Sequence, residues 1–315
     1  MNRDDPKLRQ RISRAKSIRR IWHERDSGLA IPEGTVSDSS TLSSQTYLQI
    51  KDKALALERL YGDNEVALPD GCDLARLIAD AKSLSDQWLT DHTKLQMTLL
   101  FRAINLDRIA DAVLPLQSVT DRAKYLRSLT SSSLDSLDRQ TSSVKNILWE
   151  LELWSILRGH GLDAALQEPP DIVVSFEGLE VGLACKKFYS EKHVQNVLSK
   201  AVAQIESSFE LGIVAVNLDD LIPENRILRT ATHQSMSQYI ADFNASFIRS
   251  HERHFRRYLA TGRVISALVS TSVLADVQHG WPRVNYARQS TVWIIPGLKA
   301  EKEKQLKRFY DKFMG

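Results

Sequence analysis

The sequence predicts an α/β protein in two parts, a helical domain over residues 1–140 followed by a mixed-sheet domain over 141–315. Two observations carry this. Before residue 140 the apolar residues recur at three- and four-residue spacing, as in Leu74, Leu77, Ile78, Ala81 and Leu84. After it, short β-branched runs alternate with amphipathic stretches, which is the pattern of strands and helices in one sheet-based core.

In the first part, "TYLQIKDKALALERLYG", "CDLARLIADAKSLSDQWLTDHTKLQMTLLFRAINLDRIADAVL" and "VTDRAKYLRSL" read as helices. Pro69 and Gly71 punctuate the loop between the first two. Ser/Thr-rich stretches at 32–45 and 128–143 read as a linker and a boundary. Nine Lys/Arg against three acids between Arg3 and Arg25 read as a basic helix face able to meet phosphates.

In the second part, "VKNILWELELWSILRGHG" reads as a helix stopped by Gly159 and Gly161. "DIVVSF" and "LEVGLACKKF" read as strands flanking a Glu177-Gly178 turn. A helix over 194–210, a strand "GIVAVNL", a long helix over 236–260, two strands "RVISALVSTSVL" and "STVWIIPG" and a basic helix over 299–314 complete the order.

Bulk properties narrow the class. A hydrophobic fraction of 43% and a charged fraction of 26% are those of an ordinary globular protein. No run approaches the roughly 18 apolar residues of a membrane span. The charged N-terminus lacks the apolar segment of a signal peptide, so a cytoplasmic setting is expected. Two cysteines, Cys72 and Cys185, form neither a disulfide framework nor a four-cysteine zinc site. A glycine-rich phosphate loop, a G-x-S-x-G elbow and an HExxH zinc motif are all absent.

A two-residue turn at Glu177-Gly178 sets the hairpin register. Phe176 then faces Leu179, and stepping back pairs Asp171 with Ala184. Strand alternation puts Lys186 on that same face, with Cys185 and Lys187 on the other. Upstream, Glu150 and Glu152 interrupt an apolar helix. On a helical wheel Glu150 falls towards the core and Glu152 nearer the flank, and a buried acid needs a cation or metal beside it. Downstream, "SKAVAQIE" offers Gln204.

This ordered set, "WELE…PPDIVV…GLACKKF…KAVAQI", resembles the PD-(D/E)XK nuclease superfamily of restriction-endonuclease-like fold. The resemblance covers residues 144–218 and implies a Mg²⁺-dependent endonuclease, with Mn²⁺ as a substitute. DNA is the expected substrate and RNA the second; a role in host defence or nucleic-acid processing is implied by analogy. It also implies that Asp171 and Glu150, or Glu152, hold the metal, with the Cys185 backbone carbonyl as a third ligand. Lys186 would orient the attacking water or stabilise developing charge, and Gln204 would hydrogen-bond the water or phosphate. Lys187, Lys192 and Lys200 would contact flanking phosphates. The sequence departs from the family at Ala184, where its second acid should stand. Glu180, the next acid on that face, lies roughly 13 Å away along a strand. Either the acid has migrated to the Glu150/Glu152 helix, which the odd placement of those acids favours, or the chain is a non-catalytic nucleic-acid-binding or scaffold protein. A homodimer or partner subunit would form through the helical domain.

Two further patterns are weaker. Asp219-Asp220 after a strand reads as a helix or turn cap before a metal role. In "RSHERHFRR", Arg249 and His254 match the spacing of metal-independent HEPN-type ribonucleases, but that family is all-helical. A basic helix face is the plainer reading.

Overall fold

A computed structural model of the chain describes residues 21–24, 29–33, 44–91, 96–136, 138–206, 209, 211–223, 227–259, 264–279, 284–294 and 298–314. The basic segment up to residue 20, expected as a helix, lies outside them; Ile21–Glu24 is strand. Among the described residues the protein is mixed α/β.

Among those residues eight α-helices and nine strands follow in order. Strands β1 (Ile21–Glu24) and β2 (Leu29–Glu33) come first. Helices α1 (Ser44–Asp63), α2 (Asp73–Asp91), α3 (Met97–Val113) and α4 (Arg122–Ser128) then give way to α5 (Ser143–Gly159). After α5 come β3 (Asp163–Leu166), β4 (Ile172–Phe176), β5 (Leu179–Lys187), α6 (Val194–Glu206) and β6 (Leu211–Asn217). The rest is β7 (Leu228–Thr230), α7 (His233–Leu259), β8 (Val264–Val277), β9 (Val284–Ile294) and α8 (Ala300–Met314).

All the strands join one sheet in the order β1-β2-β9-β8-β6-β5-β4-β3, with β7 paired to the far end of β8. β5, β6 and β8 run parallel, and the remaining pairs on this path are antiparallel. Helices α6 and α7 make the two crossovers between the parallel strands and cover one face with Ala184, Val214, Val216, Ala267 and Val269. The other face, through Leu183, Cys185, Ile213 and Ala215, meets α5 and α8. Residues of α1 to α4 join that same apolar cluster. No helix among the described residues is long and apolar enough to cross a membrane.

Three local devices hold the frame of the hairpin. Glu177 and Gly178 both adopt positive φ, 51° and 80°, the conformation of a tight two-residue turn whose twist matches its strands. The register is therefore Phe176↔Leu179 through Ile172↔Leu183, as the turn length predicts. Phe309 of α8 packs edge-on against Phe176. On the other side, α6 presses so closely on the sheet that a Cβ at Gly212 would stand 2.2 Å from Ile205. The backbone of β6 can approach that helix because no side chain intervenes.

Helix α5 is buried on two sides, between the sheet and helices α3 and α4. Ser142 caps it, accepting from the Lys145 backbone N–H. Trp149 and Trp154 are fully buried and donate to the Ala215 and Ala164 carbonyls. A helix apolar on all sides has no single core-facing stripe. The wheel therefore misplaced its two acids: Glu152, expected nearer the flank, is 3% exposed, while Glu150 is half-buried.

Candidate active site

Strand β4 leaves the ladder at Ile172, and Asp171 stands just before it. Its carboxylate Oδ2 accepts the Cys185 backbone N–H at 2.5 Å and the Lys186 ammonium at 3.2 Å. Asp171 is buried, and the Lys186 side chain is 21% exposed, so the pair sits at the mouth of the sheet rather than within its core. It is the Cys185 N–H, not its carbonyl, that meets the carboxylate. The Cys185 thiol lies in the cluster under α5, and burial, Asp171 and Glu150 push its pKa well up.

Glu150 reaches the same place from α5. Its carboxyl is pushed up to about 8, first by burial and then by the Asp171 charge, with Lys186 acting in the opposite sense. Glu168, in the loop before Pro169, adds a further negative charge, and Lys124 a positive one. Two carboxyls crowded together near Lys186 keep the Glu150 proton on until further positive charge arrives. This donor set fits a hard divalent cation, since magnesium commonly takes one or two protein carboxylates and completes its shell with water and substrate oxygens. Among the described residues no group of three or more His, Cys, Asp or Glu is arranged to hold a metal; Asp171 and Glu150 supply two carboxyls, with Glu168 acting on Glu150 from nearby. The Ala184 side chain is fully buried with Val173 beneath α6 and α7, in the space a second strand acid would need.

The other predicted site residues divide. Gln204 is half-buried on α6, which packs against β5. Lys192 and Lys200 are exposed, free to meet a polyanion. Lys187 does not share that surface. Its side chain is 3% exposed and turned to the opposite face from Lys186, with Nζ 2.7 Å from Asp220 and 2.5 Å from the Asn217 amide oxygen. Alternation along β5 dictates this, because adjacent side chains leave opposite faces.

Glu152 is likewise removed from the metal set. It is ion-paired to Arg108 of α3 and to Arg288 of β9, both nearly buried. Arg108 also lies over the Tyr286 ring at 5.3 Å, and Arg288 over Trp149 at 5.5 Å. Arg108 extends to Asp219 at 3.8 Å. Asp219 in turn accepts the Ser272 N–H at 2.7 Å and lies 3.9 Å from Lys187. Burial would raise the Asp219 pKa, but Lys187, Arg108 and Arg288 hold it below the usual range. Asp220 pairs with Lys187, with Lys145 at 3.4 Å and with Arg139 at 3.7 Å. The Asp219-Asp220 pair, expected as a cap, is thus the centre of a buried ionic network at the carboxyl ends of β5 and β6. Nothing in the sequence flagged Arg108, Lys145 or Arg288 as its partners. The one available signal was charge within apolar runs, as at Lys187.

His251 and His254, three apart on α7, belong to no group of three or more metal-ligating side chains among the described residues. His251 Nε2 meets Glu191 Oε2 at 2.9 Å, and His254 sits in the field of Arg253, His251 and Arg257.

Comparison with protein-family models, with curated proteins and with solved structures returned no match for this chain.

Proposed function

We propose that the chain is a divalent-metal-dependent nuclease that hydrolyses phosphodiester bonds, with DNA as its substrate, and that its α/β part is a restriction-endonuclease-like domain. The observation that supports this most is the convergence of Asp171, Lys186 and Glu150 from three separate elements, with Lys186 Nζ 3.2 Å from Asp171. Asp171 and Glu150 would hold Mg²⁺, or Mn²⁺ in its place. The metal would supply a polarised phosphate and a bound water of lowered pKa. Lys186, carried on the rigid strand β5, would orient that water and stabilise charge on the phosphoryl oxygens. Gln204 would hydrogen-bond the water or the phosphate from α6, and Lys192 and Lys200 would hold the backbone on either side without reading sequence.

A second reading has its own support. Ala184 occupies the place of the family's second acid, which favours a non-catalytic nucleic-acid-binding protein built on the same frame. Incubation of the purified protein with plasmid DNA and with single-stranded RNA, in Mg²⁺, Mn²⁺ or EDTA, separates the two. Metal-dependent cleavage that disappears in Asp171→Ala is the expected result. No cleavage of either substrate under any condition favours the binding protein, and RNA cleavage that persists in EDTA rejects the metal site.

A further inference from the structure

The last four turns of α7 carry a second feature that the site does not use. Arg249, Arg253 and Arg257 are exposed and spaced four residues apart. On a helix that spacing places them along one stripe, rising roughly 6 Å per step. The stripe lies opposite the buried face of α7 formed by Asn244, Ile248, Phe255 and Leu259. None of the three has an acidic partner among the described residues. Glu252 is the sole acid of residues 243–259, and Arg256 already engages it at 2.6 Å and 2.8 Å. The helix dipole favours cations in the last turn only, so it accounts for Arg257 but not for Arg249 or Arg253. Arg253 Nε meets His254 Nε2 at 3.4 Å and Arg257 lies 5.5 Å from the Tyr258 ring centroid, but neither contact neutralises a charge, so three guanidinium groups held in a line repel one another.

We propose that this stripe is a docking face for the phosphate backbone of duplex nucleic acid, separate from the Asp171–Lys186 site. Charge complementarity commits it to a polyanion, and its geometry to a regular one. The three arginines span about 12 Å of helix rise, while B-DNA presents one phosphate per ~3.4 Å of axis on each strand. The guanidinium fork suits phosphate oxygens better than a point charge does. His251 links the face to the rest of the molecule. Its contact with Glu191 ties α7 to the turn leaving β5, where Lys192 is also exposed. The choice of a nucleic acid over another polyanion rests on the nuclease reading.

The test is binding of a fluorescein-labelled 30-base-pair duplex, in EDTA, in the Asp171→Ala background so that no cleavage intervenes. Each phosphate contact contributes roughly 0.9 to the slope of log affinity against log salt. Arg249→Gln/Arg253→Gln/Arg257→Gln should lower that slope by about 2.7 and weaken binding at least tenfold near physiological salt. An equal loss of charge elsewhere, Arg59→Gln/Lys304→Gln/Lys307→Gln, should leave the slope nearly unchanged. All six positions are exposed, and circular dichroism and Tm should match the parent. Equal slopes for the stripe variant and the parent would overturn the proposal. So would stripe-dependent binding to phosphatidylglycerol vesicles with no binding to the duplex. Failure of the nuclease reading shows separately, as no cleavage by the unsubstituted parent in Mg²⁺ or Mn²⁺ alongside intact stripe-dependent binding. Cleavage with stripe-independent binding sinks only the docking face.

Discussion

Glu150 and Glu152 stand two residues apart on one helix, and Lys186 and Lys187 are neighbours on one strand, yet the fold sorts each pair into two different charge environments. Glu152 and Lys187 enter a network in which every acid meets two or more cations: Arg108, Arg288, Arg139, Lys145 and Lys187 surround Glu152, Asp219 and Asp220. Glu150 and Lys186 enter a site in which Glu150 feels Asp171 and Glu168 against Lys186 and Lys124, and Glu150 is pushed towards neutrality. In the first environment five cations surround three acids, so no acid is left for a bound cation to neutralise. The second is left incomplete by the chain itself. The difference teaches that a buried acid marks a candidate site only where its compensation is missing.

The comparison breaks first on stability. Removing one partner of a buried ion pair strands the other charge, at a cost of about 3–5 kcal/mol. Glu152→Ala leaves Arg108 and Arg288 facing each other, so urea unfolding should show that full loss. Glu150→Ala removes a half-buried carboxyl that is protonated at neutral pH and strands no charge, so the unfolding midpoint should be nearly unchanged. Equal destabilisation by both would mean that the two glutamates play the same structural part.

The lysines sharpen the same contrast with a smaller effect. Lys187→Met removes charge-assisted contacts to Asp220 and Asn217, while Lys145 and Arg139 remain on Asp220. A loss of about 2 kcal/mol is expected. Lys186→Met, at the partly exposed mouth of the site, should cost well under half of that in the same denaturation experiment. A larger loss for Lys186 would place it in the structural network.

The third contrast is a pH dependence. Glu150 holds its proton up to about 8 when folded, against 4.5 for the ordinary carboxyl. Between those values the native state binds more protons than the unfolded chain, so its contribution to stability falls as pH rises from about 4.5 to about 8. In EDTA, the unfolding midpoint of the parent should drift down across that window, and Glu150→Gln should flatten the drift. An upward drift in the parent that Glu150→Gln removes would show that the carboxyl is held ionised, contrary to the crowded arrangement.

How much of this was legible in the sequence depends on the reach of the interaction. The hairpin register followed from a local rule, two residues in the turn and alternation on either side, and the structure has that register. The order of helices and long strands followed from periodicity. Short strands did not: β1, β2, β3 and β7 run three to five residues and carry little pattern. The stretch 72–114 read as one helix but divides between α2 and α3. The parting of Glu150 from Glu152 was hidden for another reason. The partners of Glu152 come from 44 and 136 residues away, and a wheel drawn on one helix cannot see them. Lys187 failed in the same way, through acids on β6's far side of the sheet end, whereas Lys186 was placed by the strand it belongs to.

The most direct measurement is plasmid nicking in Mg²⁺ by four proteins: the parent, Asp171→Ala, Glu150→Ala and Glu152→Gln, the last chosen to keep the volume of the buried side chain. A divalent cation held by two carboxylates loses its geometry with one, and such a cation contributes several kcal/mol to the transition state. Asp171→Ala and Glu150→Ala should each lose at least about 100-fold in rate per folded molecule, Glu150→Ala at unchanged Tm and Asp171→Ala with some loss of Tm from its stranded Cys185 N–H and Lys186. Glu152→Gln should lose Tm but retain most of the parent's rate per folded molecule. Full activity in Glu150→Ala, with the parent active and Asp171→Ala dead, would contradict the account, because the second acid of the site would then come from somewhere other than α5.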